Sequence, residues 1–490
     1  MKHTILKTMV LSVLLTLGCQ SQDKQKEAHM AQSSNVNNPV NRIEAYLSKL
    51  EESGFSGSIL FAKNDKVLIN KGYGFSDRSK QIKNASQTVF DIGSITKQFT
   101  AAGILKLEMQ GKLSVDDKIT KYFDNIPEDK KSITIHQLLT HSSGFLSGIG
   151  DDYEAITSQG FINRAFKKRL LFEPGSAYEY SNVGYSLLGM IIEKVSGQSY
   201  ENYLYTNLWK PSKMEQTGYT RPTFSDQNVA YGYDIKDKAL GKPNELTWDV
   251  DAPYWHLKAN GGILSTANDM YKWHNVLKSN LVLSNEAITK YFTPYVKEGD
   301  AQSYYAYGWA MYKTSRGTTL AAHNGGNGIF FADFWRYLDD DMVIIVLNNK
   351  ATRYSEIIAS QIGALYILKD FEPMYPENRD MEMEDFDENE VDDLVGLVVK
   401  TLNQNDENKW TSFIQNNGTN HFINMAPMEL HLNYFKKFHQ KIKGGKVVGI
   451  NIDLDEVIVT VKTENSTETL IINIENNNEG QLKFAGMMIE

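Results

Sequence analysis

Phe90-Asp91-Ile92-Gly93-Ser94-Ile95-Thr96-Lys97 is the stretch on which the reading of this chain turns. It sets a hydroxyl and an amine three positions apart, with Phe90, Ile92 and Ile95 around them. From Ser94, the recurrence of Ile95, Phe99, Ala102 and Leu105 predicts a helix that Gly111 stops. A serine on the first turn lies near unpaired backbone N–H groups and the positive end of the helix dipole. Lys97 then shares its face, within reach of the hydroxyl. An amine acts as a base only when neutral. Bringing it from about 10.4 to near 7 takes about 4–5 kcal/mol of differential destabilisation of its charge. The apolar neighbours predict a site dry enough to supply much of that. The spacing alone is weak, because Ser21 and Lys24 also satisfy it, and in isolation it reads as a helix cap plus a surface lysine.

Two later motifs change the weighing. Tyr180-Ser181-Asn182 follows a turn at Glu173-Pro174-Gly175 and a short extended run, the kind of loop that presents side chains. A phenol beside a cation loses its proton more readily and can relay one to a leaving group. Asn182 offers a donor and an acceptor to a substrate amide. The bland alternative makes Tyr180 a packed aromatic and Asn182 the cap of a helix over Val183–Val195 that Gly197 ends. His323-Asn324-Gly325 closes a strand, where Gly325 and Gly326 leave the edge open to a substrate backbone. The N–H groups of Ser94 and Gly326 form a candidate oxyanion hole, worth about 3–4 kcal/mol per donor in such sites. His323, with an ordinary pKa near 6.5, carries a conditional charge. Alone, a strand-end histidine reads as structural.

The rest of the chain frames these motifs. Ser58–Phe61 and Val67–Ile69 flank Asn64-Asp65 as a hairpin, and a second helix is predicted from Ile135 to His141, capped by Thr134. Strand character returns at Thr318–His323, Ile329–Tyr337 and Met342–Leu347, before a closing helix over Tyr354–Lys369. The expected fold class is α+β: over residues 40–371, an antiparallel sheet flanked by helices, its first and last strands paired, with an all-helical region. Glu377–Asp393 holds ten acidic residues against Arg379, so 372–390 reads as an acidic linker. Residues 391–490 read as three helices and then four strands, a small α+β domain. Its His421, His431 and His439 form no convincing ligand set and read as packing or surface residues.

At the other end, Lys2, His3 and Lys7 precede an apolar run from Met9 to Leu17 and then Gly18-Cys19. The run is too short to span a bilayer. A small residue before a lone cysteine resembles a bacterial lipoprotein signal over residues 1–19, with Cys19 lipid-carrying and 20–39 a flexible tether. Cys19 is the only cysteine, so the mature chain forms no internal disulfide and no thiolate metal site. A net charge of −9 and a pI near 5.7 argue against a nucleic-acid partner.

Taken in order, the motifs resemble the serine β-lactamase and penicillin-binding superfamily, in its class C β-lactamase, D,D-peptidase, esterase and D-aminopeptidase branch. The resemblance covers about residues 40–370 and includes Gly72-Tyr73-Gly74, Leu138-Leu139-Thr140-His141-Ser142-Ser143-Gly144 and Gly261-Gly262-Ile263-Leu264-Ser265. It implies Ser94 as acylated nucleophile, Lys97 and Tyr180 as proton-transfer pair, and Asn182 as substrate-amide contact. It also implies His323, Asn324 and Gly325 as the substrate-binding edge, with no metal or organic cofactor. His141, although within a motif, reads as structural. Where β-lactamases of this kind carry Lys-Thr-Gly, this chain has His-Asn-Gly, with less fixed charge for a substrate carboxylate. That favours peptidase or esterase chemistry on D-amino-acid peptides, amides or small esters over β-lactam hydrolysis. The expected partners are a small-molecule or peptide substrate and the membrane of the bacterial cell envelope, through the lipid. A true β-lactamase and a non-catalytic envelope sensor are the alternatives, and the sequence leaves the oligomeric state open.

Overall fold

The computed structural model describes residues 38–375 and 387–489, apart from 235, 246–252, 300–301, 351, 353–354, 356, 420–421, 424–426, 454–455, 465 and 478–480. Cys19, most of the tether, the centre of the acidic stretch and His421 lie outside the described residues. The chain divides after Pro376 into two compact units.

The first unit is built on eight antiparallel strands: β1 Gly57–Lys63, β2 Lys66–Tyr73, β3 Val296–Lys297, β4 Ser303–Tyr305, β5 Ala310–Lys313, β6 Thr319–Gly326, β7 Phe331–Tyr337 and β8 Met342–Asn348. Their order is β2-β1-β8-β7-β6-β5-β4-β3. Gly57 pairs with Asn348 and Lys63 with Met342, so the first and last strands meet, as the order of elements predicts. The turn at Asn64-Asp65 works because both residues adopt positive φ, 49° and 60°. The short strands β3 to β5 extend the sheet beyond the expected ones.

Every residue of β8 is buried, because the sheet is covered on both faces. The two-residue period of the strands sorts their side chains between two cores. Leu60, Ala321, Phe334, Val343 and Ile345 join the larger core with Phe99 and Trp309. Ile59, Phe61, Leu320, Ile344 and Val346 pack with helix Pro39–Glu52 and helix Ile358–Ile367. Thr96–Met109 forms the central helix of the larger core, with 11 buried residues. A helix apolar nearly all round is one enclosed on every side. Helix Ile135–Leu139 is fixed by reciprocal bonds between Thr134 and Gln137, and Gly197, at φ 69°, terminates helix Asn182–Ser196.

The second unit has helices Glu388–Asn403, Glu407–Asn417 and Met428–Ile442 ahead of a four-stranded antiparallel sheet in chain order. The first of these starts three residues earlier than the composition break suggests. The acidic residues there sit at a helix N-terminus, where the dipole favours them, and Asp387 accepts the Asn389 N–H. Trp410, Phe413, Phe435, Ile472 and Phe484 belong to its own core. His431 and His439 are buried within it, and the His439 Nδ1–H donates to the Leu402 carbonyl at 2.7 Å.

Candidate active site

The turn carrying Ser94 is set by its neighbours. Gly93 takes φ +49°, and its N–H donates to Asp91 at 2.7 Å. Phe90-Asp91 is pinned against Leu264-Ser265 as a two-residue ladder. Ser94 itself lies in one turn of 3₁₀ helix, Gly93–Ile95, and the α-helix begins at Thr96, later than the sequence suggests. The tighter turn leaves the half-buried serine at the mouth of the helix while Lys97 is fully buried.

Lys97 Nζ lies 3.1 Å from Ser94 Oγ, 2.7 Å from Asn182 Oδ1 and 2.8 Å from the Asn260 carbonyl. Burial drives its pKa well below the ordinary lysine range, against a smaller opposing pull from Asp152. A neutral amine has two N–H donors and one lone pair. Asn182 and Asn260 take the donors, so the lone pair is left for the Ser94 hydroxyl.

Ser94 lies near enough to the Tyr180 phenol to act on its pKa, and Lys97 Nζ stands 4.6 Å from the centre of its ring. The expected ease of losing its proton is not what the structure gives. Burial pushes the phenol above its ordinary range, and the nearby Ser94 only partly offsets this. Burial also works against a positive charge on the lysine beside it. Asn182 is the first residue of its helix, and the cap is Ser181, whose Oγ accepts the Gly184 N–H at 3.1 Å. Asn182 is thereby free for Lys97.

Strand β6 meets the nucleophile turn through its glycines. A Cβ on Gly325 would stand 2.1 Å from the Ile92 carbonyl oxygen and 2.8 Å from the Ser94 nitrogen. One on Gly93 would stand 2.7 Å from the Gly326 nitrogen. Only bare backbone lets these N–H groups come together. His323 points into the site, its ring centre 6.2 Å from that of Tyr180. It is buried, its Nδ1–H donates to the Asn324 carbonyl at 2.6 Å, and its Nε2 accepts from Tyr305 at 2.9 Å. Burial, the largest cause, lowers its pKa to about 3, so the conditional charge expected of it is absent at neutral pH. Asn324 is a second correction. It pairs with Asp333, while His323 pairs with Phe334, and neighbouring strand positions face opposite ways. Its exposed side chain therefore leaves the strand on the face opposite to His323, not beside it.

Over residues 43–363 the chain matches the family described as Beta-lactamase. The chain belongs to the β-lactamase family. A penicillin-binding protein of Bacillus subtilis (strain 168) is 27% identical over 324 residues, 63% of this chain and 71% of the relative. The chain spans 71%, 63% and 60% of the length of three of the curated relatives it matches. The solved octameric penicillin-binding protein homologue of Pyrococcus abyssi aligns with TM-score 0.60 and 25% identity, over 90% of this chain and 92% of that one. The D-amino acid amidase of Ochrobactrum anthropi SV3, solved with D-phenylalanine, aligns with TM-score 0.55 and 22% identity, over 66% and 96%. That likeness is one of fold.

Some residues around this β-lactamase-family centre escape a reading by motif. Asn260 acts through its backbone, and only the glycine pair after it marks the segment. Asp91 is buried, and burial raises its pKa to about 6 against hydrogen bonds from Gly93 and Asn327. Two carboxylates flank the centre. Asp152 is half-buried, with a raised pKa from burial and Asp151. Glu298 accepts the Tyr178 hydroxyl proton at 2.9 Å, and its charge is felt at Tyr180. Nothing in their sequence spacing distinguishes them from surface acids.

Proposed function

We propose that this chain is a serine hydrolase of the cell envelope that works through an acyl-enzyme on Ser94. The observation that carries the reading is the buried Lys97 amine held between Asn182, the Asn260 carbonyl and Ser94 Oγ, where burial disfavours its charge. Ser94 Oγ attacks a substrate carbonyl as its proton passes to Lys97 Nζ. The oxyanion is received by the N–H groups of Ser94 and Gly326, each worth about 3–4 kcal/mol in comparable sites. The protonated Tyr180 phenol passes a proton to the leaving amine or alkoxide and regains one from Lys97. Water then replaces the leaving group, and the same groups run in reverse.

The substrate class we favour is D-amino-acid amides and peptides, or small esters. A neutral His323 supplies no fixed positive charge for a substrate carboxylate, and Asp152 and Glu298 add negative field. The fold shared with a D-amino acid amidase is consistent with this choice. The test is intact-protein mass spectrometry with a fluorophosphonate and a fluorescent penicillin, on wild type and Ser94→Ala, followed by turnover of D-amino-acid amides, short esters and nitrocefin. An adduct on wild type alone supports the nucleophile. Nitrocefin turnover far above the other substrates would replace this preference with the β-lactamase reading, and binding without adduct or turnover would favour a sensor.

Membrane attachment through a lipid on Cys19 belongs to the same proposal and rests on the sequence. Fatty-acid labelling of wild type and its loss in Cys19→Ser would support it. Equal labelling of both would remove it.

A further inference from the structure

We infer that His141 is a positioning residue for Tyr180, a clamp closed on both sides of the phenol-bearing residue. The inference deepens the proposed hydrolase reading and rests on Tyr180 acting in proton transfer. The Glu179 N–H donates to the His141 carbonyl at 2.9 Å, and the Ser181 N–H donates to His141 Nδ1 at 2.9 Å. One residue thus binds the backbone N–H groups of the residues before and after Tyr180. Its ring also lies against the phenol, with centres 4.3 Å apart and planes at 37°, while Lys97 Nζ stands 4.6 Å from the same phenol ring. Rotation about the Tyr180 backbone, which would swing the hydroxyl from Ser94, is therefore opposed at both ends.

The chemistry of the ring distinguishes a clamp from packing. Because Nδ1 accepts, the neutral imidazole carries its proton on Nε2. That nitrogen is buried with no hydrogen-bond partner among the described residues, in a ring whose centre lies 4.5 Å from that of Tyr305 and 5.0 Å from that of Tyr185. A leucine or phenylalanine would fill this volume without leaving a buried N–H unpaired. The orphaned donor is a cost, and what histidine offers against it is the acceptor at Nδ1. Its backbone points the same way. His141 holds φ +56°, a left-handed conformation that histidine and asparagine tolerate better than apolar residues do. His323, in the same site, has the opposite tautomer, with Nδ1 donating and Nε2 accepting. The two imidazoles are therefore not interchangeable fillers.

The experiment compares His141→Leu and His141→Asn with wild type on a chromogenic ester and an amide. Asparagine suits the left-handed backbone and sets Oδ1 where Nδ1 stood. The leucine variant should lose about 10–100-fold in kcat with KM within about threefold, because misplacement of a catalytic group by 1 Å costs about that much. The asparagine variant should recover most of the loss. Wild-type kcat in a folded leucine variant, equal loss in both variants, or a loss confined to KM would overturn the proposal. A second reading survives failure of the leucine variant to fold. The imidazole ¹⁵N signal absent from His141→Asn should show a bare Nδ1 and a protonated Nε2 near neutral pH; a protonated Nδ1 would overturn the clamp. Failure of the hydrolase reading looks different, since wild type itself would then form no Ser94 adduct, and the tautomer would still judge the geometry.

Discussion

Asn182 Oδ1 stands 2.7 Å from Lys97 Nζ and takes one of the two protons of the neutral amine. Its neutrality matters as much as its position. Asn182→Asp would put a carboxylate at hydrogen-bond distance and stabilise the ammonium, raising the lysine pKa by about 1–3 units. The rate at pH 7 should then fall, by up to about 1,000-fold, and recover with rising pH, because the amine must lose its proton before it can act. Asn182→Ala, which adds no charge, should lose activity without moving the profile. The measurement is kcat/KM against pH for the three proteins. An aspartate variant with the wild-type profile would contradict the neutral amine.

Gly325 and Gly326 make a paired test of the strand contact. Gly325→Ala forces a methyl group into the Ile92 carbonyl and the Ser94 nitrogen, both backbone atoms that cannot swing aside. It should cost about 1–3 kcal/mol of stability, in the range of overpacked cores, and slow acylation by displacing the serine turn. At Gly326 the nearest atom to a new Cβ is Phe331 Cδ2 at 3.5 Å, an ordinary contact. Gly326→Ala should melt within a degree or two of wild type, about 0.5 kcal/mol at most. Equal melting temperatures for the two variants would dismiss the close approach.

The legible parts of this molecule are those governed by local periodicity. The apolar runs of β1 and β8 announce buried strands, and the spacing of Ile95, Phe99, Ala102 and Leu105 announces the central helix. Helix Asn182–Ser196 was marked by its glycine stop, although the cap proved to be Ser181. Less visible were effects that depend on burial or on strand parity. The motif sets Asn324 at the substrate edge between His323 and Gly325, yet the pleat turns it to the other face. The solution pKa of histidine implies a conditional charge for His323, which its dry surroundings remove. Strands β3 to β5 have two to four residues each and too little sequence for a period to show. The Asn260 carbonyl and the His141 clamp act through backbone atoms or a tautomer, which residue identity does not display.

His323 should also leave a mark on stability. Its pKa falls from the ordinary 6.5 to about 3 in the folded chain. Above pH 6.5 both folded and unfolded forms are neutral there, and its full contribution is present. As pH drops below 6.5 the unfolded chain takes up the proton first, so stability declines until the folded pKa is reached. Buried His274, lowered to about 2 by burial and the adjacent Arg336, acts in the same direction. Between pH 7 and pH 5, wild type should lose about 1–2 kcal/mol more than His323→Gln in urea unfolding. Parallel losses would show that His323 titrates normally. Activity, for the same reason, should show no inflection from this residue between pH 5 and pH 8.

Asp91 provides the complementary case, a carboxyl whose pKa is raised to about 6. Asp91 Oδ1 accepts the Gly93 N–H at 2.7 Å and Oδ2 accepts from Asn327 Nδ2 at 3.0 Å. Asn327 cannot turn its amide over without losing the Ile329 and Phe330 N–H groups bound to its Oδ1. In Asp91→Asn, therefore, two NH₂ groups face one another, and the variant should lose about 1–3 kcal/mol and acylate more slowly as Gly93 shifts. The pH dependence has the opposite sign to that of His323. A raised carboxyl favours the folded state when protonated, so its contribution is full below the ordinary 3.8 and is lost as pH rises through about 6. The stability gap between wild type and Asp91→Asn should consequently widen by about 1 kcal/mol on going from pH 7 to pH 5. A gap that stays constant over that interval would mean that Asp91 ionises like a surface carboxylate, and that burial does not set its charge.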